Sequence, residues 1–333
     1  MSLQINVLTG FLGSGKTTLL QRVLAGEDMG QTALLINEFG EVGIDHLLVQ
    51  EIAPNTVLLP SGCVCCSVRG DLKQALIDLH DKRSRGEIPA FRRVLLETTG
   101  LADPAPILAT LQRDPQLRGR FHLGLLLTVV DAQHAALQER IHPEWLEQVT
   151  AADRLLVSKS DRVSPESLDQ LSAHLKTLNP LASIVLASSV VKGDEQLLGE
   201  GLKSEVPDDE VAKWQLFAPT QQPQHASRHG GAQVCALEYE RPLDWLAFGV
   251  WLSMLLRCHG ERILRVKGIL NVIDSEQPIV IHGVQHCLHA PVHLARWPDG
   301  ERRSRLVIIV RNLDTELLRR SFDTFLHRLG RAA

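Results

Sequence analysis

Residues 10 to 17 read Gly10-Phe11-Leu12-Gly13-Ser14-Gly15-Lys16-Thr17, the eight-residue pattern of a loop that binds nucleotide phosphate. Each fixed position has a physical role. Glycine lets the backbone curl so that successive N–H groups turn inward toward phosphate oxygens, and a following helix N-terminus adds partial positive charge. Lys16 has the reach for the β- and γ-phosphates, and Thr17 offers a hydroxyl to Mg²⁺. The flanks agree: Ile5-Asn6-Val7-Leu8-Thr9 reads as a buried strand, and the stretch from Thr18 to Ala25 reads as a helix. A nucleoside triphosphate is the expected ligand, held by Gly10, Gly13, Ser14, Gly15, Lys16, Thr17 and Thr18.

Outward from this loop, buried-strand patterns recur at Gln4–Leu8, Thr32–Ile36, Thr56–Leu59, Arg93–Glu97, Leu123–Val130, Arg154–Val157 and Ser183–Leu186. Helical stretches lie between them, clearest at Asp71–Lys82, Pro143–Ala151 and Ser164–Leu178, the last with Ser164 as N-cap and Pro165 at the first helical position. Such alternation predicts an α/β domain over residues 1–190, a mostly parallel sheet with helices on both faces. Residues 191–232 are rich in Gly, Asp, Glu, Lys, Pro and Gln and read as a linker. Residues 233–330 predict a smaller α+β domain. Its elements are a strand at Val234–Tyr239, an apolar helix at Leu243–Cys258, strands at Ile263–Val272, Ile279–Gln285 and Leu306–Val310, and a closing helix at Asp314–Leu329.

Composition narrows the function. The 333 residues are 44% hydrophobic and 22% charged, the balance of a soluble globular protein. A net charge of −4 supplies no general attraction to nucleic acid or an anionic membrane. Basic pairs such as Arg302-Arg303 and Arg319-Arg320 read as solvated surface. No stretch has the length and apolarity of a membrane span, and the start runs into a strand without the pattern of a secretory signal. Six cysteines, three of them within four positions, do not form a disulfide framework, so a reducing cytoplasm is the expected compartment.

Two further segments refine the nucleotide. Leu95-Leu96-Glu97-Thr98-Thr99-Gly100 ends a strand with a carboxylate that can hold Mg²⁺ through water, and Gly100 offers a backbone N–H to the γ-phosphate. Lys16, Thr17 and Glu97 are therefore the expected catalytic group. Ser158-Lys159-Ser160-Asp161 is similar to the Asn/Thr-Lys-x-Asp guanine motif. Asp161 would accept hydrogen bonds from guanine N1 and N2, which adenine does not offer, and Lys159 would lie along the base. Ser158 stands where Asn is usual, which predicts a weaker brace. Ala187-Ser188-Ser189 follows a strand where a backbone contact to the base oxygen is expected. GTP is preferred over ATP.

The second strong signal is Cys63-Val64-Cys65-Cys66. Thiolates are soft ligands for Zn²⁺, Cu⁺ and related metals, and three from one loop leave a tetrahedral ion an open position. Buried small hydrophobes and a redox pair are the competing readings. Cys235, Cys258 and Cys287 are isolated and read as core. The histidines at 282, 286, 289 and 293 read as scattered residues, since strand alternation puts several on opposite faces.

Together these motifs resemble those of the CobW-like metal-chaperone GTPases, relatives of the nickel-insertion GTPases of urease and hydrogenase. The resemblance rests on Thr9 to Thr18, Asn37-Glu38-Phe39-Gly40-Glu41-Val42-Gly43 with Asp45, Gly62 to Cys66 and Glu97 to Pro104, in that order. Arg265-Val266-Lys267-Gly268 and His282-Gly283-Val284-Gln285 are similar to motifs of the family's C-terminal domain, so the resemblance covers nearly the whole chain. It implies a Mg²⁺-dependent GTPase of the P-loop NTPase fold, whose Cys63, Cys65 and Cys66 bind Zn²⁺ or Co²⁺ for delivery to a client metalloprotein. It makes Glu38, Glu41 and Asp45 candidate oxygen ligands in the first switch. A second copy of the chain is a further expected partner. The histidine-rich stretch of many members is reduced here to His225 and His229. The alternative function is a metal-buffering or redox-sensing GTP-binding protein without client transfer.

Overall fold

The structure is a computed structural model that describes residues 2–24, 32–36, 56–58, 67–190, 231–297 and 300–329. Seven strands of the first part follow in chain order: β1 (Leu3–Gly10), β2 (Thr32–Ile36), β3 (Thr56–Leu58), β4 (Arg93–Glu97), β5 (Phe121–Asp131), β6 (Arg154–Ser158) and β7 (Ser183–Leu186). Every residue of β1 is buried, which requires neighbours on both edges and cover on both faces. The sheet order is β3-β2-β4-β1-β5-β6-β7, and every adjacent pair is parallel. The register matches Leu8 with Glu97, Gly10 with Val129, and Asp131 with Ser158. The carboxyl ends of β1, β4, β5 and β6 therefore lie along one edge, beside the central strand from which the chain winds both ways. Open α/β sheets bind ligands at such an edge.

One irregularity adjusts that edge. Between Ile5 and Val7 the β1–β5 register slips by one residue. The buried Asn6 side chain fills the gap: its Oδ1 accepts from Leu125 N–H at 2.8 Å and from Gln4 Nε2 at 2.9 Å. A Cβ on Gly124 would overlap Asn6 Oδ1, so the bulge requires glycine there.

The accompanying helices are α1 (Lys16–Leu24), α2 (Ser67–Ser84), α3 (Pro104–Arg113), α4 (Pro115–Arg118), α5 (Ala135–Ile141), α6 (Pro143–Ala151) and α7 (Pro165–Leu178). Helix α2 begins four residues before the expected Asp71, because Gly70 does not stop it. Helices α3 and α4 are too short for periodicity to mark, yet each opens at an Asp-Pro pair. Asp103 caps Ala105 N–H, Asp114 caps Gln116 and Leu117 N–H, and proline takes the first helical position.

The second sheet is antiparallel: β8 (Ala232–Tyr239), β9 (Ile263–Leu270), β10 (Ile279–Val284), β11 (Cys287–Leu288), β12 (Val292–His293) and β13 (Ser304–Arg311). Its order is β11-β10-β9-β13-β8, with β12 also paired to β10. Helices α8 (Trp245–His259) and α9 (Thr315–Leu329) pack on one face. There Trp251 meets Phe322 edge-on at 4.9 Å and donates its indole N–H to Ser321 Oγ. The chain divides into two compact units, Met1–His174 with Ala182–Gly201, and Leu175–Leu181 with Leu202–Ala333. Cys235 and Cys287 are buried as expected, but Cys258 is exposed. It follows Met254 by one helical turn on the outer side of α8, so the core reading of Cys258 is wrong.

Gly124→Ala should lower the stability of the first unit by about 1–3 kcal/mol, since the added methyl displaces Asn6 from its amide. Urea unfolding measures this, and an unchanged midpoint would remove the bulge from the account.

Candidate nucleotide site

The phosphate loop leaves β1 through residues that bend the wrong way for ordinary side chains. Gly10, Gly13 and Gly15 have φ of 140°, 70° and 96°. Ser14 N–H donates to Phe11 O at 3.1 Å and closes the turn. Lys16 opens α1 and folds back over the loop, its Nζ donating to Gly10 O at 2.9 Å and Phe11 O at 3.3 Å. The next residue, Thr17, donates its hydroxyl to Glu97 Oε1 at 3.4 Å. Two oxygen-bearing side chains thus converge where β1 and β4 end.

The Glu97–Gly100 turn is fixed against the loop. Thr98 N–H donates to Leu8 O, and Thr98 Oγ1 donates to Thr9 Oγ1 at 2.9 Å. A Cβ on Gly100 would stand 2.6 Å from Leu12 N, so the two loops touch backbone to backbone and only glycine fits. From the far side, Gln148 Nε2 on α6 donates to Gly100 O at 3.2 Å and Ala102 O at 3.0 Å.

The opposite wall comes from β5 and β6. Ser158 Oγ lies 2.6 Å from Ser14 O and 3.2 Å from Val130 O. A hydroxyl has one proton, and the shorter contact takes it. The expected weak brace is therefore a short bond that ties the base motif to the phosphate loop. Lys159 adopts a left-handed backbone, φ 53°, which swings its ammonium back to Gly13 O at 2.8 Å. Asp161 is exposed in the single turn Ser160–Arg162. Arg22 of α1 donates to Ala187 O at 2.9 Å, tying the helix behind the loop to the Ala187–Ser189 segment.

Asp131 was not singled out in the sequence. A strand-end Asp is a common residue, and its meaning emerges only when the β5–β6 register sets it opposite Ser158. Its buried carboxylate accepts from Lys159 Nζ at 2.6 Å, His134 Nδ1 at 2.9 Å and Gln133 N–H at 2.9 Å. Burial alone would raise its pKa, but the bonds from Lys159, His134 and Gln133 outweigh it and hold the carboxyl below its ordinary value. Asp131 thus positions Lys159, which in turn rests on the loop.

Cys63, Cys65, Cys66, Glu38, Glu41 and Asp45 lie outside the described residues. Among the described residues no three His, Cys, Asp or Glu side chains are grouped to hold a metal. His282 is buried with its ring 3.6 Å from that of His289, and burial, then His289, Arg265 and Lys267, push its pKa well below the usual value. That is a neutral stacked histidine.

A family model, the CobW/HypB/UreG nucleotide-binding domain, matches residues 4–186, and the cobalamin synthesis protein CobW C-terminal domain matches residues 232–326. The chain belongs to the CobW family. It is 32% identical to the zinc chaperone YjiA of Escherichia coli over 96% of this chain and 97% of that one. It is 28% identical to the zinc-regulated GTPase metalloprotein activator 1 of Saccharomyces cerevisiae, over 96% and 83% of the two chains. A crystal structure of Zn(II)-bound YjiA GTPase from E. coli superposes with a TM-score of 0.73 at 26% identity, covering 98% of this chain and 99% of that chain. The P-loop NTPase fold and the separate antiparallel C-terminal sheet of this CobW-family chain agree with that match.

A depressed carboxyl pKa contributes stability that is present above the unfolded value, 3.8 for Asp131, and is lost as pH falls through and below it. Asp131→Asn should therefore lower the urea midpoint at neutral pH and flatten its decline below about pH 4. A decline as steep as wild type would contradict the assignment.

Proposed function

We infer that this chain is a GTPase that holds a transition metal, zinc foremost, and passes it to a client metalloprotein. The observation that carries the reading is the convergence of Lys16, the Thr17–Glu97 pair and the Ser158–Lys159 brace at one sheet edge, in a chain that matches both CobW domains. The zinc and GTPase descriptions of its relatives supply the metal and the reaction class. A division into residues 1–190 for the nucleotide, 191–232 as connection and 233–330 as the second domain suits these roles.

Lys16 now rests on two neutral carbonyls, and exchanging them for the charged β- and γ-phosphate oxygens of GTP is a stronger pairing. The N–H groups of Gly13 and Gly15 cradle the phosphates, with Ser14 turning the loop and Thr18 behind it, and Gly100 N–H meets the γ-phosphate. Thr17 Oγ1 and Glu97 Oε1, 3.4 Å apart, are the hard oxygen donors that suit Mg²⁺. Mg²⁺ held there would neutralise charge on the phosphates during transfer. Asp161 reads guanine N1 and N2 while Lys159, fixed by Asp131, lies along the base.

The metal is cargo for Cys63, Cys65 and Cys66, with Glu38, Glu41 and Asp45 as oxygen ligands from the preceding segment. The three thiols immediately precede helix α2 in sequence. Thiolates also accept Co²⁺. No helix among the described residues is long and apolar enough to cross a membrane, and free thiols suit a reducing cytoplasm.

Two variants separate the halves of this function. Lys16→Ala should reduce GTP turnover by roughly a hundredfold or more with zinc affinity retained. Cys65→Ser should weaken zinc binding by roughly tenfold or more and leave GTP binding intact. Turnover near the wild-type rate by the lysine variant, or unchanged zinc affinity in the cysteine variant in chelator competition, would overturn the respective role.

A further inference from the structure

Helix α6 touches both the phosphate loop and the turn that follows Glu97. Its N-cap residue His142 lays its ring against Phe11, centroids 4.4 Å apart, and Gln148, 1% exposed, reaches the turn. Only the NH₂ end of an amide donates. The carbonyls of Gly100 and Ala102, at 3.2 and 3.0 Å, therefore fix which way Gln148 points. Its Oε1 is then turned away, buried, and meets no hydrogen-bond donor among the described residues. A buried carbonyl oxygen without a donor is destabilising, and methionine would fill a slot of that length without one. Packing alone gives no reason for glutamine, whereas the two carbonyls do. They belong to a turn closed by Ala102 N–H on Thr99 O at 3.1 Å. Upstream, Thr98 anchors this turn to Leu8 and Thr9, and downstream the Gln148 amide holds its far side. Gly100, the residue with the freest backbone, lies between the two anchors.

We propose that Gln148 is a positioning residue for the γ-phosphate. By gripping the Gly100 and Ala102 carbonyls it sets the direction in which Gly100 N–H points. The inference rests on the reading, given above, that this N–H meets the γ-phosphate. Gln148 acts through the backbone of the turn, not on the nucleotide itself. GDP has no γ-phosphate, and its hold through Lys16 and Asp161 does not involve the turn. Losing the two donors should then penalise the triphosphate state and its hydrolysis and leave the diphosphate state alone. Thr128 supplies the contrast: its Oγ1 donates to the backbone O of Gln148 at 2.8 Å, tying α6 to β5 without reaching the turn. Loosening the helix there tests general support, and removing the amide tests aim.

The test compares wild type, Gln148→Met and Thr128→Val as full chains with Mg²⁺ present. It reads GTP turnover, affinity for a non-hydrolysed GTP analogue, affinity for GDP, and the melting temperature. Gln148→Met should lower turnover and analogue affinity by roughly tenfold or more, since a misaimed donor forfeits most of its effect. Its GDP affinity should match wild type. Thr128→Val should lower the melting temperature and keep the wild-type ratio of analogue to GDP affinity. Gln148→Leu repeats the comparison with a shorter apolar side chain, and GDP binding checks that each variant is folded. Turnover by Gln148→Met at the wild-type rate, or equal loss of analogue and GDP, would overturn the inference. So would a Thr128→Val variant that loses the analogue selectively. A wild-type chain that does not hydrolyse GTP would instead defeat the reading of the site on which the inference rests.

Discussion

The bond from Ser158 to the carbonyl of Ser14 holds the rest of the site together. A glycine-rich loop is the costliest kind of backbone to order, and its N–H groups can act on phosphate only if they are already aimed inward. The sheet does the aiming from three sides. Ser158 and Lys159 grip Ser14 and Gly13 from β6, Gly100 closes on Leu12 from β4, and Thr98 joins the end of β4 to β1. These contacts follow from parallel strands ending in register at one edge. The one-residue slip absorbed by Asn6 and Gly124 lies on the strand that carries the loop, which places a buried amide and a missing side chain among the supports of the site.

The same arrangement suggests how nucleotide and metal could be coupled. The γ-phosphate would touch Lys16 and Gly100, while the thiols stand in sequence between the first switch segment and the Glu97 strand. If GTP favours one arrangement of those segments and that arrangement favours three thiolates around an ion, metal must tighten GTP binding by the same factor. Hydrolysis then loosens the metal, and delivery becomes a timed release. Thiolate ligation also releases protons, so metal affinity should rise with pH.

Much of this was legible in the residues because parallel strands are buried on both faces and read as unbroken apolar runs. Gln4–Leu8 and Arg93–Glu97 could hardly be anything else, and the phosphate loop fell between a strand and a helix as its chemistry demands. The helices at Pro104 and Pro115 were harder, being short and announced only by Asp-Pro caps. Asp131 had no local signal at all, since its role comes from a residue 28 positions away brought beside it by strand register. Ser158 looked like a weakened Asn and instead makes a short bond, because a small hydroxyl suffices when the carbonyl it needs is directly opposite. The apolar run of α8 carries Cys258 at its end, where a core place is the natural reading. In a helix apolar nearly all round, periodicity does not separate the face that meets the core from the face that stays exposed, and Cys258 was misplaced for that reason.

The central claim is that this chain couples the state of a nucleotide to the grip on a metal. It is tested most directly by zinc affinity, measured by chelator competition on full-length protein loaded first with a non-hydrolysed GTP analogue and then with GDP, Mg²⁺ present in both. The account predicts tighter zinc binding in the GTP-like state, by roughly five- to a hundredfold, the usual span of a coupling between two sites. Equal affinity in the two states would contradict it.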